Sequence, residues 1–305
     1  MKFLIGILFV LIFLTVVLYL LVVRLVAKIF LNIAITTARE SSPEFPGEHV
    51  SFKTRDGLTL EGYFINGKRS RGKTVVFCHE VGAGWGSWHK YASFLPGAGY
   101  NLFSFDFRGH GATAGTNGYS PNQWISPYEI EDIIGAVEYL RARPEVDKNN
   151  ISFFGISRGA GAAVCAAYEI KGIRAIIADS AFSTYETLID YILRWTSIYL
   201  PFKRLPHWLN YMLAVHGMWL ASFKIGHALP RMEKYLRKLD SVPVFFIHGD
   251  RDNYIPPDQA KRLYNMALEP KKLWIIAKAR HNESVLVKPE QYREQILSFL
   301  NTYMD

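Results

Sequence analysis

The chain has 305 residues, carries 35 Lys and Arg against 27 Asp and Glu for a net charge of +8, and is half hydrophobic. This composition excludes intrinsic disorder, a collagen repeat and a small disulfide scaffold, and the length suffices for one large α/β domain or two small ones. The basic residues alternate with acids and lack aromatic–basic repeats, so no nucleic-acid partner is expected.

The apolar content is unevenly spread. Phe3 to Val23 is an uninterrupted run of uncharged residues closed by Arg24. At about 1.5 Å per residue a helix over this run is about 31 Å long, matching a bilayer's hydrocarbon core. It is longer than the apolar part of a cleaved signal peptide, and no small-x-small cleavage pattern comes directly after it. Residues 1–30 are therefore read as an uncleaved, single-pass signal anchor and 31–47 as a linker. Lys2 precedes the run while Arg24, Lys28 and Arg39 lie beyond it, so the positive-inside rule leans toward a cytoplasmic placement of the chain from residue 48 onward. The glycosylation-type triplet Asn282-Glu283-Ser284, beside the candidate catalytic residue His281, leans the same way.

From His49 onward short apolar runs alternate with helical stretches. Val50–Thr54 and Leu58–Ile65 flank Arg55-Asp56-Gly57, a hairpin signal. Strand-type runs come next at Thr74–Cys78, Leu102–Phe105, Ile151–Phe154, Arg174–Ala178, Val242–His248 and Leu273–Ala277. Helices are expected near Ser87–Phe94, Tyr128–Ala142, Arg158–Glu169, Pro257–Met266 and Pro289–Tyr303. Such alternation predicts a mostly parallel sheet with helices on both faces and a site at the carboxyl ends of its strands. One stretch breaks the rhythm. Residues 190–240 are rich in aromatics (Trp195, Phe202, Trp208, Tyr211, Trp219, Phe223) interleaved with Lys and Arg, and read as an inserted helical cap. The aromatics suit the cap's own core or an apolar acyl pocket near a bilayer; the basic residues suit a solvated face or anionic headgroups.

Chemistry concentrates after the strands. Gly155-Ile156-Ser157-Arg158-Gly159 joins a strand to an Ala-rich helix, and small residues on both sides let the chain turn sharply while the Ser157 side chain stands out. A serine needs an imidazole to take its proton and a carboxylate to orient that imidazole. Downstream, the Val242–His248 strand runs into His248-Gly249-Asp250-Arg251-Asp252, and the Leu273–Ala277 strand into Lys278-Ala279-Arg280-His281. The order Ser, Asp, His fits this turn architecture, with His281 as the base. Cys78 and Cys165 lie in apolar stretches and are read as buried free thiols. His79 and His248 are read as strand-end anchors; His207, His216 and His227 find no partner in the pattern. No metal or cofactor site is expected, since neither H-x-x-x-H nor C-x-x-C occurs.

With these motifs the chain from about 48 to 304 resembles the α/β-hydrolase superfamily, most closely its membrane-anchored Bem46-like and serine-aminopeptidase-like esterases and lipases. The resemblance implies an α/β-hydrolase fold with an eight-stranded, mostly parallel sheet, helices on both faces and a helical cap. It implies Asp252, the last residue of the H-G-x-x-D loop, as the acid, with Asp250 the runner-up. It implies Val81 and Arg158 as backbone N–H donors to an oxyanion, and Asp106-Phe107-Arg108-Gly109-His110-Gly111 as scaffold. The expected activity is cleavage of a carboxylic ester, thioester or amide of a small or lipid-like acyl substrate by a catalytic domain held at a bilayer. The alternatives are an aminopeptidase-type amide hydrolase and a catalytically silent anchored binding module. One departure stands out: where the family usually carries His-Gly after its third strand, this chain has His79-Glu80, and a Glu beside an oxyanion opposes the developing charge unless it is paired or turned away.

Overall fold

The computed structural model describes residues 2–31, 47–115, 119–199 and 205–305. Most of the expected linker lies outside the described residues, as do Phe202, Lys203 and Arg204. The chain divides into two compact units, one formed by Met1–Ala34 with Tyr185–Leu229 and the other by Ile35–Thr184 with Pro230–Asp305.

The smaller unit begins with helix α1 (Lys2–Leu31). The larger unit begins with a hairpin, β1 (Glu48–Lys53) and β2 (Thr59–Ile65), closed by Thr54, whose hydroxyl and backbone N–H both bond to the Leu58 carbonyl. After it come β3 (Thr74–Cys78), α2 (Trp88–Ala92) and β4 (Asn101–Phe105). Next are α3 (Pro127–Arg141), β5 (Ile151–Ile156), α4 (Arg158–Glu169) and β6 (Ile173–Asp179). Two long helices, α5 (Thr184–Tyr199) and α6 (His207–Ile225), stand between β6 and the remaining elements in the chain. Those are α7 (Met232–Leu236), β7 (Val244–Gly249), α8 (Pro257–Met266), β8 (Lys271–Ile276), α9 (Ser284–Val287) and α10 (Pro289–Met304). The helical interruption therefore opens at Thr184, earlier than the aromatic content suggests, and β7 starts after Pro243, which cannot donate to a ladder.

Among the described residues eight strands form one sheet in the order β1-β2-β4-β3-β5-β6-β7-β8. Only the β1–β2 and β2–β4 pairs are antiparallel. Successive strand residues face opposite sides, and two cores result. Val76, Cys78 and Phe153 face one core with Ile133 and Val137 of α3 and the alanines of α4. Val75, Phe77 and Phe154 face the other with Tyr91 of α2 and Tyr292, Ile296 and Phe299 of α10. Cys78 and Cys165 are free and fully buried, and burial pushes both thiols up, away from thiolate chemistry.

The loop after β4 is locked by charge. Asp106 accepts the Trp85 N–H at 2.7 Å, and the Arg108 guanidinium bridges buried Asp132 at 2.8 Å and Asp56 at 2.7 Å. In the smaller unit α1 packs on α6, with Val23, Val26 and Ala27 buried while most of its other side chains are exposed.

Candidate active site

The first element of the site is a strained turn. Ser157 sits between β5 and α4 with φ 52° and ψ −119°, a conformation costing a non-glycine residue roughly 1–3 kcal/mol. Its N–H donates to the Asp179 carbonyl at 2.8 Å, fastening the turn to β6. The flanking glycines allow the approach: a Cβ on Gly155 would overlap the Ala160 backbone, and one on Gly159 would overlap the Cys78 and His79 carbonyl oxygens. The end of β3 is thus pressed against the first turn of α4, whose unsatisfied N–H groups begin at Arg158.

The structure brings Ser157, His281 and Asp252 together. Ser157 Oγ lies 3.0 Å from His281 Nε2, and His281 Nδ1 lies 2.6 Å from Asp252 Oδ2. Beside a carboxylate Nδ1 carries the proton and donates, which leaves the Nε2 lone pair to accept the serine O–H. The other Asp252 oxygen accepts the Tyr254 and Ile255 N–H groups at 2.9 and 2.8 Å. Buried His248 directs Nε2 at both the Ile255 carbonyl, 2.9 Å, and Asp252 Oδ2, 3.3 Å. Burial alone would raise the Asp252 carboxyl, but the hydrogen bonds from His248 and His281 and the pull of His281 outweigh it, holding it well below the usual carboxylate range. Asp250 is exposed and accepts the Lys278 N–H at 2.5 Å instead. The Tyr254 ring stacks on His281, centroids 5.7 Å apart.

His79 has a different task. Its Nδ1 donates to the Glu80 carbonyl at 2.7 Å and its Nε2 accepts the Phe107 N–H at 3.2 Å, and burial holds the ring neutral. Glu80 is paired: Oε2 accepts the Ser87 hydroxyl at 2.7 Å, and Oε1 lies 3.3 Å from the Tyr91 hydroxyl. Lys90 Nζ donates to that same phenol at 2.9 Å and to the Asn282 carbonyl at 3.0 Å. The carboxylate is therefore engaged with two hydroxyls of the Trp85–Ala92 stretch, and partly buried Val81 comes next in the loop. The Arg158 side chain is fully buried, donating to the Asn122 carbonyl at 2.9 Å and to Glu129 at 3.1 Å. Glu129 also accepts the Ser126 N–H that begins α3, at 2.7 Å, and the Tyr119 hydroxyl.

Sequence reasoning missed Asp179. At the carboxyl end of β6, it accepts the Tyr292 hydroxyl at 2.7 Å and those of Ser180 and Ser284 at 3.0 and 3.2 Å, and burial raises its carboxyl. Ser180 Oγ in turn accepts the Asn282 N–H at 3.3 Å, next to His281. Its place at the carboxyl end of a strand is the signal that could have found it.

An eight-stranded, mostly parallel sheet with a strained, glycine-flanked turn between β5 and α4 defines the α/β-hydrolase class. Residues 75–295 match the model of the alpha/beta hydrolase family, and the chain belongs to that family. It is 28% identical to protein YfhR of Escherichia coli K12 over 83% of this chain and 80% of that one. It is 24% identical to protein bem46 of Schizosaccharomyces pombe over 87% and 80%. Among solved structures, an esterase from Pyrococcus furiosus, Pf2001, superposes with a TM-score of 0.68 at 23% identity, covering 90% of this chain and 98% of that one. An acylaminoacyl peptidase of Pyrococcus horikoshii superposes at 0.58 and 20% identity, with 87% and 43% coverage.

The packing at the turn fixes how unequal two glycine substitutions should be. Gly159→Ala should cost about 3 kcal/mol or more, because backbone carbonyls cannot yield to the new methyl. Gly97→Ala, where a Cβ meets nothing within 4 Å, should stay within about 1 kcal/mol of wild type. Thermal unfolding in detergent measures both, and equal shifts would contradict the packing argument. The depressed Asp252 carboxyl adds stability that is fully present above the ordinary carboxylate range and is lost as pH falls from that range toward its lower value in the folded protein. The melting-temperature gap between wild type and Asp252→Asn should therefore be fully open above about pH 5 and close progressively as pH falls below about pH 4; a gap independent of pH would refute the assignment.

Proposed function

We propose that this hydrolase is a membrane-anchored serine enzyme that cleaves carboxylic esters, thioesters or amides through an acyl-enzyme. The observation that carries the reading is the continuous hydrogen-bonded line from Ser157 through His281 to Asp252, at 3.0 and 2.6 Å. In this mechanism His281 Nε2 takes the hydroxyl proton as Ser157 Oγ attacks the acyl carbonyl. Asp252 keeps His281 in the Nδ1–H tautomer and stabilises the imidazolium that forms. The oxyanion is held by the Val81 and Arg158 N–H groups, aided by the positive end of α4. The imidazolium protonates the departing alcohol, thiol or amine, and water, deprotonated by His281, releases the acid. Glu80, paired with Ser87 and Tyr91, is kept from opposing the oxyanion.

The substrate we favour is an ester with a lipid-like acyl group, since α1 is long and apolar enough to hold the chain at a bilayer. Arg24 and Lys28, at the carboxyl end of α1, favour the cytoplasmic side for the catalytic domain.

A fluorophosphonate probe should label the wild-type chain, and Ser157→Ala should abolish labelling. Turnover should fall by roughly 10⁴-fold or more in Ser157→Ala and His281→Ala. A folded wild-type protein that never labels would leave only the binding-module reading. Acyl esters of graded chain length assayed beside aminoacyl amides separate esterase from peptidase, and higher kcat/KM on the amides would overturn the ester preference. On intact vesicles, protease added from the cytoplasmic side should degrade the catalytic domain; protection there would reverse the assigned orientation.

A further inference from the structure

One face of α6 in the smaller unit is apolar and turned outward. Trp208, Met212, Val215, Trp219 and Phe223 of α6 fall within an arc of about 80° at 100° per residue. Trp208, Trp219 and Phe223 are 63%, 68% and 75% exposed, and Trp219 stacks on Phe223 at 6.1 Å. A soluble helix would turn such a stripe inward. The opposite face is buried and sets the small residues Ala214, Gly217 and Ala221 among Asn210, Leu213 and Met218.

Gly217 lets α1 come close: a Cβ there would stand 2.5 Å from Val26 Cγ1. Near this crossing the Tyr19 hydroxyl and His216 Nδ1 bond to each other at 2.5 Å. Small residues and a polar pair at the seam, with large apolar side chains outside, is how two helices pack when lipid surrounds them. Around the seam, Leu18, Leu21 and Leu25 of α1 are exposed as well, so the apolar outside belongs to both helices.

Register sets the depth. The residues of α1 at the seam, Tyr19 to Ala27, lie where its uncharged run ends at Arg24, just before Lys28. That is the level of the headgroup boundary, where tryptophan is favoured.

We propose that α6 is a second membrane-seated element, its Trp208–Phe223 face lying at the acyl–headgroup boundary of the leaflet from which the carboxyl end of α1 emerges. This rests on the reading of α1 as an anchor.

The test uses the full chain reconstituted in phosphatidylcholine–phosphatidylglycerol vesicles, with or without brominated acyl chains, and follows tryptophan emission. The fraction quenched by bromolipid should fall about twofold or more in the Trp208→Phe/Trp219→Phe variant. Retention of a cooperative thermal transition shows that the variant is folded. Equal quenching in both proteins overturns the proposal. So does unquenched emission accompanied by disulfide cross-linking of Trp219→Cys, which would put a second copy on this face. An alkaline carbonate wash separates the two readings. Wild-type chain lost from the vesicles defeats the anchor, whereas retained chain whose quenching does not depend on Trp208 and Trp219 defeats only the α6 assignment.

Discussion

The close approach of β3 to the first turn of α4 at Gly159 governs the rest of the site. It forces Ser157 into a conformation that the chain would leave if it could, and the structure holds it from three sides. The Ser157 N–H is tied to β6, the Arg158 guanidinium is buried against Glu129 and the Asn122 carbonyl, and the carbonyls of Cys78 and His79 close over Gly159. Losing the Ser157 N–H bond would leave a buried donor unsatisfied at a cost comparable to the strain, and losing Glu129 would strand the buried Arg158 charge at a greater one. Strain at Ser157 is therefore over-determined, and the serine is exposed to its neighbours without freedom to relax.

Orientation of His281 is secured with the same redundancy. Asp252 receives two backbone N–H groups and faces two imidazoles, so its carboxylate has little reason to rotate. The His281 loop is held from the other end by Lys90 on the Asn282 carbonyl and Ser180 on the Asn282 N–H. Ser180 belongs to the Asp179 cluster, which also grips Tyr292 of α10 and Ser284 of α9. The loop is thereby fastened to elements before and after it in the chain.

What was legible in the sequence was what is local. Each strand run and the Gly155–Gly159 turn lie in short windows with a recognisable period or residue pattern, and they appear within a few residues of their expected places. Ser157 and His281 could be paired because strand ends converge on one edge of a parallel sheet. Choosing between Asp252 and Asp250 needed family likeness, because a two-residue difference within one loop carries no period; the fold turns Asp250 to Lys278. The supporting groups were illegible for a different reason. Glu129 with Arg158, Asp179 with Tyr292 and Glu80 with Tyr91 are contacts between separate elements, and neither partner's own neighbourhood announces the other.

The interrupting helices pose a different problem. Their aromatics suggested a core of their own or an acyl pocket, since a water-soluble helix buries its large apolar side chains. In α6 the buried face mixes Ala214, Gly217 and Ala221 with Asn210, Leu213 and Met218, while the aromatics Trp208, Trp219 and Phe223 stand exposed. Composition could not distinguish these arrangements, because α6 and a core helix use the same residues; only the partner differs. On the proposed seating of α1 and α6 in a bilayer, the packing rules for lipid rather than those for water apply to the pair. Close approach is supplied at Gly217, and on the proposed membrane seating the outward aromatics cease to be a liability. A single N-terminal run of apolar residues thus changes how a helix two hundred residues away must be read.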